Sequence, residues 1–403
     1  MPLVVMKFGG TSVADSVRLS NVADKVIKKQ REGNQVVVVV SAQGKTTDEL
    51  INKATEISEN PSKRELDVLL SAGEQISMSL LAMMIEQKGF SAVSLTGWQA
   101  GISTDSSYSS ARVHDIKCER MRYELDRKNI IIVAGFQGLN KYNDITTLGR
   151  GGSDTSAVAI AAALNADLCE IYTDVDGIYT ADPRIVENAK KLDSISYDEM
   201  LELASLGANV LHNRSVEIAL KYNIPLEVRS SLTDNSGTIV KEVSTVEKML
   251  VRGVTRDNDV ARISIVNVKD VPGKAFRIFS MLAKHNIDVD VILQSLGRND
   301  TRDISFTVTR PNLKEALEVL NENLHTIEAE SVVYDDNISK VSIVGAGMAS
   351  NPGIAARMFE ALYDSRINIQ MISTSEIKVS VLINRDDSEK AVIAIHNKFE
   401  PNL

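Results

Sequence analysis

Two rhythms of apolar residues alternate along the first 240 or so positions of this chain. Short continuous runs at Leu3–Phe8, Val36–Ser41, Ala92–Leu95, Ile130–Phe136, Leu168–Thr173 and Leu226–Ser230 read as buried strands. Between them Val13, Val17, Val22 and Val26 recur at helical spacing, with Gly33 as a stop signal. Ile76, Leu80, Leu81, Met84 and Ile85 repeat that pattern as far as Gly89, and Ser156–Leu164 and Val216–Tyr222 are further predicted helices. Strands alternating with helices imply an α/β fold, a mainly parallel sheet covered on both faces.

The texture changes near Thr238–Met249, a polar stretch carrying Lys241, Glu242, Glu247 and Lys248. Beyond it the chain repeats itself. Ile263-Ser-Ile-Val, Val271-Pro-Gly and Asn286-Ile-Asp-Val-Asp are answered by Val341-Ser-Ile-Val, Asn351-Pro-Gly and Arg366-Ile-Asn-Ile-Gln. Pro272 to Pro352 and Ile287 to Ile367 share one offset of 80 residues, so two independent anchors support a duplication. Each copy reads strand, helix, strand, strand, helix. The first copy closes with a further strand at Glu328–Tyr334, and the second has none after it. An unassigned strand at Leu250–Thr255 is inferred to supply the missing one, which makes the first copy an insertion within the second. The alternative is an edge strand with no partner.

Composition then narrows the function classes. A chain of 403 residues with 43% hydrophobic and 25% charged residues has room for two or three cored domains and is neither disordered nor fibrous. Its net charge of −9 gives no general support for a nucleic-acid or anionic-membrane partner, although a local basic site can still hold a phosphate. Cys118 and Cys169 alone build neither a disulfide framework nor a structural zinc site, and they fit a reducing compartment. The start has no basic and apolar leader pattern. The uninterrupted apolar runs Val36–Val40 and Ala157–Leu164 fall far short of the ~20 residues of a membrane span. A cytoplasmic protein is expected.

Three segments suggest chemistry. Lys7-Phe-Gly9-Gly10-Thr11-Ser12 runs from a strand into a helix, where glycine amides, the helix N-terminus and one full positive charge suit a phosphate. Leu148-Gly149-Arg150-Gly151-Gly152-Ser153-Asp154-Thr155 opens a second helix, and Arg150 offers a bidentate fork for a carboxylate or phosphate. Two such loops in one α/β domain suggest two anionic ligands meeting. Ile171-Tyr-Thr173-Asp174-Val-Asp176-Gly-Ile-Tyr179-Thr-Ala-Asp182-Pro-Arg184 follows a strand, and Tyr179 and Arg184 suit a base and a phosphate. It is not a calcium loop, because Ile178 stands at the fifth position and no Glu closes it.

Two look-alikes are dismissed. Gly44-Lys45-Thr46 has Val39 where a Walker A loop needs Gly, and Gly345-Ala-Gly347-Met-Ala-Ser350 lacks the third glycine of a dinucleotide fingerprint, so no redox cofactor is implied. His114, His212, His285, His325 and His396 show no metal-ligand or triad spacing. A nucleophile already ionised at pH 7, such as a carboxylate attacking a phosphoryl group, needs no general base. Phosphoryl transfer is then mostly positioning and charge neutralisation.

Lys7-Phe-Gly-Gly-Thr-Ser-Val13, Ser41-Ala-Gln-Gly-Lys-Thr-Thr-Asp-Glu49, Ser71-Ala-Gly-Glu74, Gly149-Arg-Gly-Gly-Ser-Asp154 and Thr173–Arg184 together resemble the aspartokinases of the amino acid kinase superfamily, and the repeat resembles a pair of ACT domains. The likeness spans essentially the whole chain. It implies a three-layer αβα kinase fold followed by two interleaved ferredoxin-like βαββαβ domains: 1–245 catalytic, 260–336 the inserted first ACT domain, and 246–259 plus 337–403 the second. It implies transfer of the ATP γ-phosphoryl group to the side-chain carboxylate of L-aspartate, the first step towards lysine, threonine and methionine. Lys7 and the amides of Gly9 and Gly10, with Phe8 and Ser41 beside them, would meet the nucleotide phosphates. Thr47 and Glu74 would hold aspartate, Glu74 by its ammonium. Arg150 would clamp the α-carboxylate with Gly151 and Gly152, while Ser153 and Asp154 organise the centre and Lys7. Thr173, Asp174, Tyr179 and Arg184 would line the ATP site, and magnesium would ride on the phosphates rather than on protein ligands.

In the regulatory half the resemblance implies effector sites for lysine, threonine or both. Asp270, Gly273, Ala275 and Gln294 would meet Asn368 and Ile369 of another subunit, near Thr374, Ser375 and Glu376. A homo-oligomer through the ACT domains is implied, with or without a shorter ACT-only subunit started at a residue such as Met249. One departure stands out: Leu211-His-Asn213-Arg carries Asn where the family has Pro, which leaves the local loop geometry open. At this length no fused homoserine dehydrogenase is expected. The alternatives weighed are a kinase for glutamate or acetylglutamate, an amino-acid-binding regulatory subunit with little catalysis, and an NAD-dependent dehydrogenase.

Overall fold

The computed structural model of the protein describes residues 1–206, 210–242, 251–295, 300–348 and 351–400. Met249, Glu247, Lys248 and Leu250 of the expected linker and strand, and Ala349 and Ser350 of the dismissed loop, lie outside the described residues. The chain divides into two compact units. The first takes Met1–Tyr179, Lys191–Ser205 and the strands and helix that complete its sheet, and the second takes Thr180–Lys190 and the C-terminal duplicated half.

In the first unit, strand β1 (Leu3–Phe8) leads through helix α1 (Ser16–Arg31) to β2 (Gln35–Val40). Helices α2 (Thr46–Ile57) and α3 (Lys63–Gln87) then reach β3 (Ala92–Leu95). Strands β4 (Ile102–Thr104) and β5 (Val113–Ile116), helix α4 (Glu119–Asp126), β6 (Ile130–Ala134), β7 (Gln137–Leu139) and β8 (Ile145–Thr147) precede α5 (Gly152–Leu164) and β9 (Leu168–Thr173). After the excursion into the second unit come β10 (Ser194–Ile195), α6 (Tyr197–Ser205), α7 (Asn213–Tyr222), β11 (Leu226–Ser230) and β12 (Thr238–Val240). The main sheet has the order β10-β12-β11-β9-β1-β2-β6-β3, parallel except for the β11–β12 pair. β1 is central and entirely flanked by parallel neighbours, so its C-terminal end at Phe8 opens where a doubly wound sheet places ligands.

The main core joins β1, β2 and β6 to the inner faces of α1 and α3 through residues such as Met6, Val38, Ile132, Val26 and Leu81. Each large aliphatic side chain removed from water there contributes about 1.5–3 kcal/mol. The inner face of α3 differs from the one its apolar pattern predicts. Met78, Leu81, Ala82 and Ile85 are buried, whereas Ile76 and Leu80 are exposed, as is Val17 on α1. The reason is that the inward face of α3 also carries polar groups, Asp67, Ser71, Glu74 and Ser77, all buried. This 25-residue helix has the length and hydropathy of a membrane span, but half of its apolar window is buried within the unit.

In the second unit, β13 (Gly253–Asp257), β14 (Val260–Lys269), α8 (Lys274–Lys284), β15 (Ile292–Gln294), β16 (Thr301–Thr309), α9 (Arg310–Glu322), α10 (Leu324–Ile327) and β17 (Ser331–Asp335) are followed by β18 (Ile338–Val344), α11 (Ile354–Asp364), β19 (Met371–Thr374), β20 (Lys378–Asn384) and α12 (Ser388–Phe399). They form two four-stranded antiparallel sheets, β15-β16-β14-β17 and β13-β18-β20-β19. β13 therefore pairs with β18, Gly253 opposite Val344, across the whole intervening sheet in sequence. Gly273 and Gly353, 80 residues apart, open α8 and α11 with the same backbone, φ +93° and +94°. Only a residue without Cβ adopts that left-handed turn freely. Segment Thr180–Lys190 belongs to this unit's core, with Ala181 and Val186 packed among Val254, Ile343 and Phe399.

Candidate active site

The site is built where β1 ends. Lys7 is the one charged residue of that strand, and its Nζ lies 2.6 Å from Oδ1 of Asp154 in the first turn of α5. The two glycine-rich segments predicted from the sequence are thus joined by one ion pair. Gly10 approaches the turn after β2 so closely that a Cβ would stand 2.4 Å from the Ala42 carbonyl oxygen, and Gly44 N–H donates to Gly10 O at 3.0 Å. Ser41 continues the same turn, with its N–H bonded to Phe8 O. Thr47, half-buried, lies in the first turn of α2 just beyond.

Glu74 is placed by α3, whose close approach to this turn needs Gly73: a Cβ there would meet that of Ala42 at 2.8 Å. The Ala42 N–H donates to Glu74 Oε1 at 3.1 Å, while Oε2 is buried with no partner. Burial pushes the Glu74 carboxyl up to about 7, against the opposing pull of that amide. A buried carboxylate with one free oxygen is a receptor for a cation such as an ammonium group.

The loop before α5 runs over Leu148–Gly151, and Gly152 and Ser153 open the helix. Gly151 caps α5 in the left-handed region at φ +66°, and a Cβ there would sit 2.2 Å from the ring of His212. Arg150 is exposed, with no partner among the described residues, so its fork is available to an anion. Ser153 is buried against Gly135, and Gly152 against Phe136, which itself holds φ +70°. A bulky aromatic residue in that region is a strained conformation of the kind that clusters at functional sites.

At the neighbouring strand end, Phe8 stacks on Tyr172 with ring centroids 4.5 Å apart, and Gly9 N–H reaches Tyr172 O. Thr173 Oγ1 donates to Asp174, and Tyr179 OH donates to Asp176 at 2.8 Å. Arg184 falls in the second unit, highly exposed and paired with Asp182 at 2.7 Å. The structure therefore gathers Lys7, Gly9, Gly10, Ser41, Glu74, Ser153 and Asp154 around one strand end, with Thr173 on the adjacent strand.

The sequence alone assigns no role to three residues here. His212 accepts from Arg214 N–H through Nδ1, which assigns the proton of the neutral ring to Nε2, and burial holds its pKa below the usual value. Arg214 and Asp67 hold the backbone around Leu148. Their partners are far away in the chain, so no run of neighbours announces these contacts.

In the second unit, Asp270 pairs with Arg302 at 2.7 Å beside the Gly273 turn, and Ala275 follows on the exposed face of α8. Gln294 lies on the exposed edge strand β15. Asn368 is exposed, Ile369 packs partly against its own core, and Thr374 ends β19, with Ser375 and Glu376 following it in the open.

Residues 2–230 match the family described as Amino acid kinase family, and residues 263–324 and 341–399 match the ACT domain. The chain is 52% identical over 400 residues to an aspartokinase of Geobacillus stearothermophilus, covering 99% of this chain and 97% of that one. It is 50% identical over 401 residues to aspartokinase 2 of Bacillus subtilis, covering 99% and 98%. Escherichia coli aspartokinase III, solved in complex with aspartate and ADP in the R-state, matches it with a TM-score of 0.84 at 26% identity, covering 99% of this chain and 100% of that one. The same enzyme in complex with lysine and aspartate in the T-state gives 0.78, covering 98% and 99%. The chain belongs to the amino acid kinase family and, within it, to the aspartokinases, nucleotide-using phosphotransferases with a carboxyl group as acceptor.

Proposed function

We propose that the protein transfers the γ-phosphoryl group of Mg-ATP to the β-carboxylate of L-aspartate, giving 4-phospho-L-aspartate and ADP, and that lysine, threonine or both inhibit it through the ACT repeats. A carboxylate oxygen attacks γ-phosphorus, the bond to the β,γ-bridging oxygen breaks, and no proton needs to be removed from the nucleophile. The observation that carries this reading is the Lys7 ammonium, held 2.6 Å from Asp154 at the strand end where both glycine-rich segments converge. There it neutralises charge on the transferring group together with the Gly9 and Gly10 amides, while Asp154 fixes its position. Glu74 takes the substrate ammonium on its free Oε2, with Thr47 beside it, and Arg150 takes the α-carboxylate over the Gly151–Gly152–Ser153 loop. Thr173, Asp174, Tyr179 and Arg184 bind the nucleotide. Magnesium arrives on the phosphates with its waters, because Mg²⁺ dehydrates reluctantly.

The division into 1–245, 260–336 and 246–259 plus 337–403 accords with the pairing of β13 and β18 around the inserted sheet. Asp270, Gly273, Ala275 and Gln294 of one subunit would bind the effector against Asn368, Ile369, Thr374 and Ser375 of another. Oligomerisation through the ACT domains and a cytoplasmic location complete the reading. The test is ATP-dependent trapping of an acyl phosphate by hydroxylamine, with L-aspartate, L-glutamate or no acid, repeated with lysine, threonine and both. Hydroxamate from aspartate alone, suppressed by one effector condition, is expected. Folded protein that forms none with Mg-ATP and aspartate would overturn the reading.

A further inference from the structure

Two charges near the acceptor loop, a buried Asp67 and a half-buried Arg214, end in no ion pair among the described residues. Asp67, on the inner face of α3, is fully buried and accepts only from two segments of the backbone and their hydroxyls. Thr147 donates its N–H at 2.9 Å and its Oγ1 at 2.8 Å. Ser109, at φ +66°, donates its N–H at 2.9 Å and its hydroxyl at 3.2 Å. Arg214, near the start of α7, does the converse. Its Nη1 donates to the Leu148 carbonyl at 2.6 Å and its Nη2 to the Ala111 carbonyl at 2.9 Å, while Ala111 N–H bonds Thr147 O. A carboxylate on the amides and a guanidinium on the carbonyls therefore hold the same two strands of chain, 109–111 and 147–148. The next residues are Gly149, whose Cβ would stand 3.0 Å from Ser109 O, and Arg150.

We infer that Asp67 and Arg214 are positioning residues for the acceptor, a paired clamp that fixes the stem of the Arg150 loop relative to Glu74. The proposal rests on the reading of Arg150 and Glu74 as the two ends of the aspartate site. Asp67 and Glu74 stand two helical turns apart on one face of α3, so one rigid helix carries both the ammonium receptor and the anchor of the loop that bears the guanidinium. Charge-assisted bonds are about twice as strong as neutral ones, and the buried Asp67 carboxylate, without an ionic partner, is held by four of them. Glu74 and Arg150 meet the ammonium and α-carboxylate that sit on one Cα, so their spacing sets how well the acceptor bridges them, and the clamp acts on the acceptor and not on the nucleotide.

The experiment compares Asp67→Asn, Arg214→Lys and the milder Thr147→Val with Arg150→Lys as reference, measuring KM for aspartate, KM for Mg-ATP and kcat on the intact protein. Asp67→Asn and Arg214→Lys are expected to raise KM for aspartate about tenfold or more while leaving that for Mg-ATP within about twofold. Thr147→Val, which removes a single hydroxyl donor, is expected to give a smaller rise of the same kind. Together the two strong changes should cost less than the product of each, because they act on one stem. A KM for aspartate unchanged in folded clamp variants, or one that rises in step with that for Mg-ATP, would overturn the clamp while a raised value in Arg150→Lys keeps the loop reading intact. No rise in Arg150→Lys would overturn the loop reading, and the clamp with it.

Discussion

Glu74 has the most perturbed carboxyl in the first unit, and its perturbation has a kinetic sign. Burial lifts it to about 7 before any ligand arrives. Only the ionised form attracts an ammonium group, and aspartate keeps its own charges unchanged between pH 5 and 8. KM for aspartate is therefore expected to fall as pH rises towards 7, by about tenfold per pH unit on the acid side, and then level off. Glu74→Gln should give a high KM with a flat profile over the same range. Initial rates at varied aspartate from pH 5 to 8 check this, and a flat profile in the unmodified protein would refute it. Glu74, Lys7 and Asp154 were legible because each sits in a distinctive short string, Ser71-Ala-Gly-Glu, Lys-Phe-Gly-Gly or Gly-Gly-Ser-Asp. The contacts of Asp67 and Arg214 were not. Asp67 meets Thr147 across 80 residues and Arg214 meets Leu148 across 66, and no string of neighbours encodes such a contact.

Helix α7 shows what one departure from a motif does to an element. Asn213 is its first residue, preceded by His212 in extended geometry with ψ 135°. That is where proline fits, because the amide of the first helical residue has no intrahelical partner and the residue before is already extended. Asparagine instead donates Nδ2–H to Ser205 Oγ at 2.8 Å, tying α7 to α6, while its Oδ1 is buried without a partner. Asn213→Pro exchanges that bond, about 1 kcal/mol, for a similar gain in unfolded-chain stiffness. The midpoint of thermal unfolding should move by no more than about 2–4 °C, and a fall well beyond that would show that the site does not accept proline. At this scale the sequence was most legible where apolar runs are long. Leu3–Phe8, Ala92–Leu95, Leu168–Thr173 and Leu226–Ser230 are strands over the expected residues. The small sheet β5-β4-β7-β8 was not legible, since three of its strands have three residues each, rich in Ser, Thr and Gly and too short to show a period. Helix α2 buries none of its residues fully, so it leaves no apolar stripe to read.

The two units carry opposite proton linkages. In the first, Glu74 is raised from 4.5 to about 7, so the folded state holds this proton more tightly than the unfolded chain does. Stability from this group is lost as pH rises through that window and regained on acidification, by roughly 2–3 kcal/mol between pH 7 and 5. His212 opposes part of this gain, because burial lowers its pKa. In the second unit the ring of His396 is fully buried, with Nε2 bonded to Thr180 Oγ1 at 2.9 Å, and burial lowers its pKa as well. The groups facing it are Lys190 of the Thr180–Lys190 segment and Glu400 beyond α12, which oppose each other. A histidine that is harder to protonate when folded loses stability as pH falls below 6.5, where the unfolded ring takes up its proton. Acidification from pH 7 to 5 is therefore expected to raise the unfolding temperature of the first unit and lower that of the second, separating two transitions in a calorimetric scan of the whole protein. Glu74→Gln should abolish the rise without touching the fall, and His396→Gln, which keeps a hydrogen-bonding group opposite Thr180, should abolish the fall without touching the rise. Transitions that shift together, or variants that alter both, would mean that neither residue governs its unit. The same bond explains why Thr180–Lys190 counts with the duplicated half: Thr180 follows directly on Tyr179 of the nucleotide segment, yet its side chain is held by the last helix of the chain.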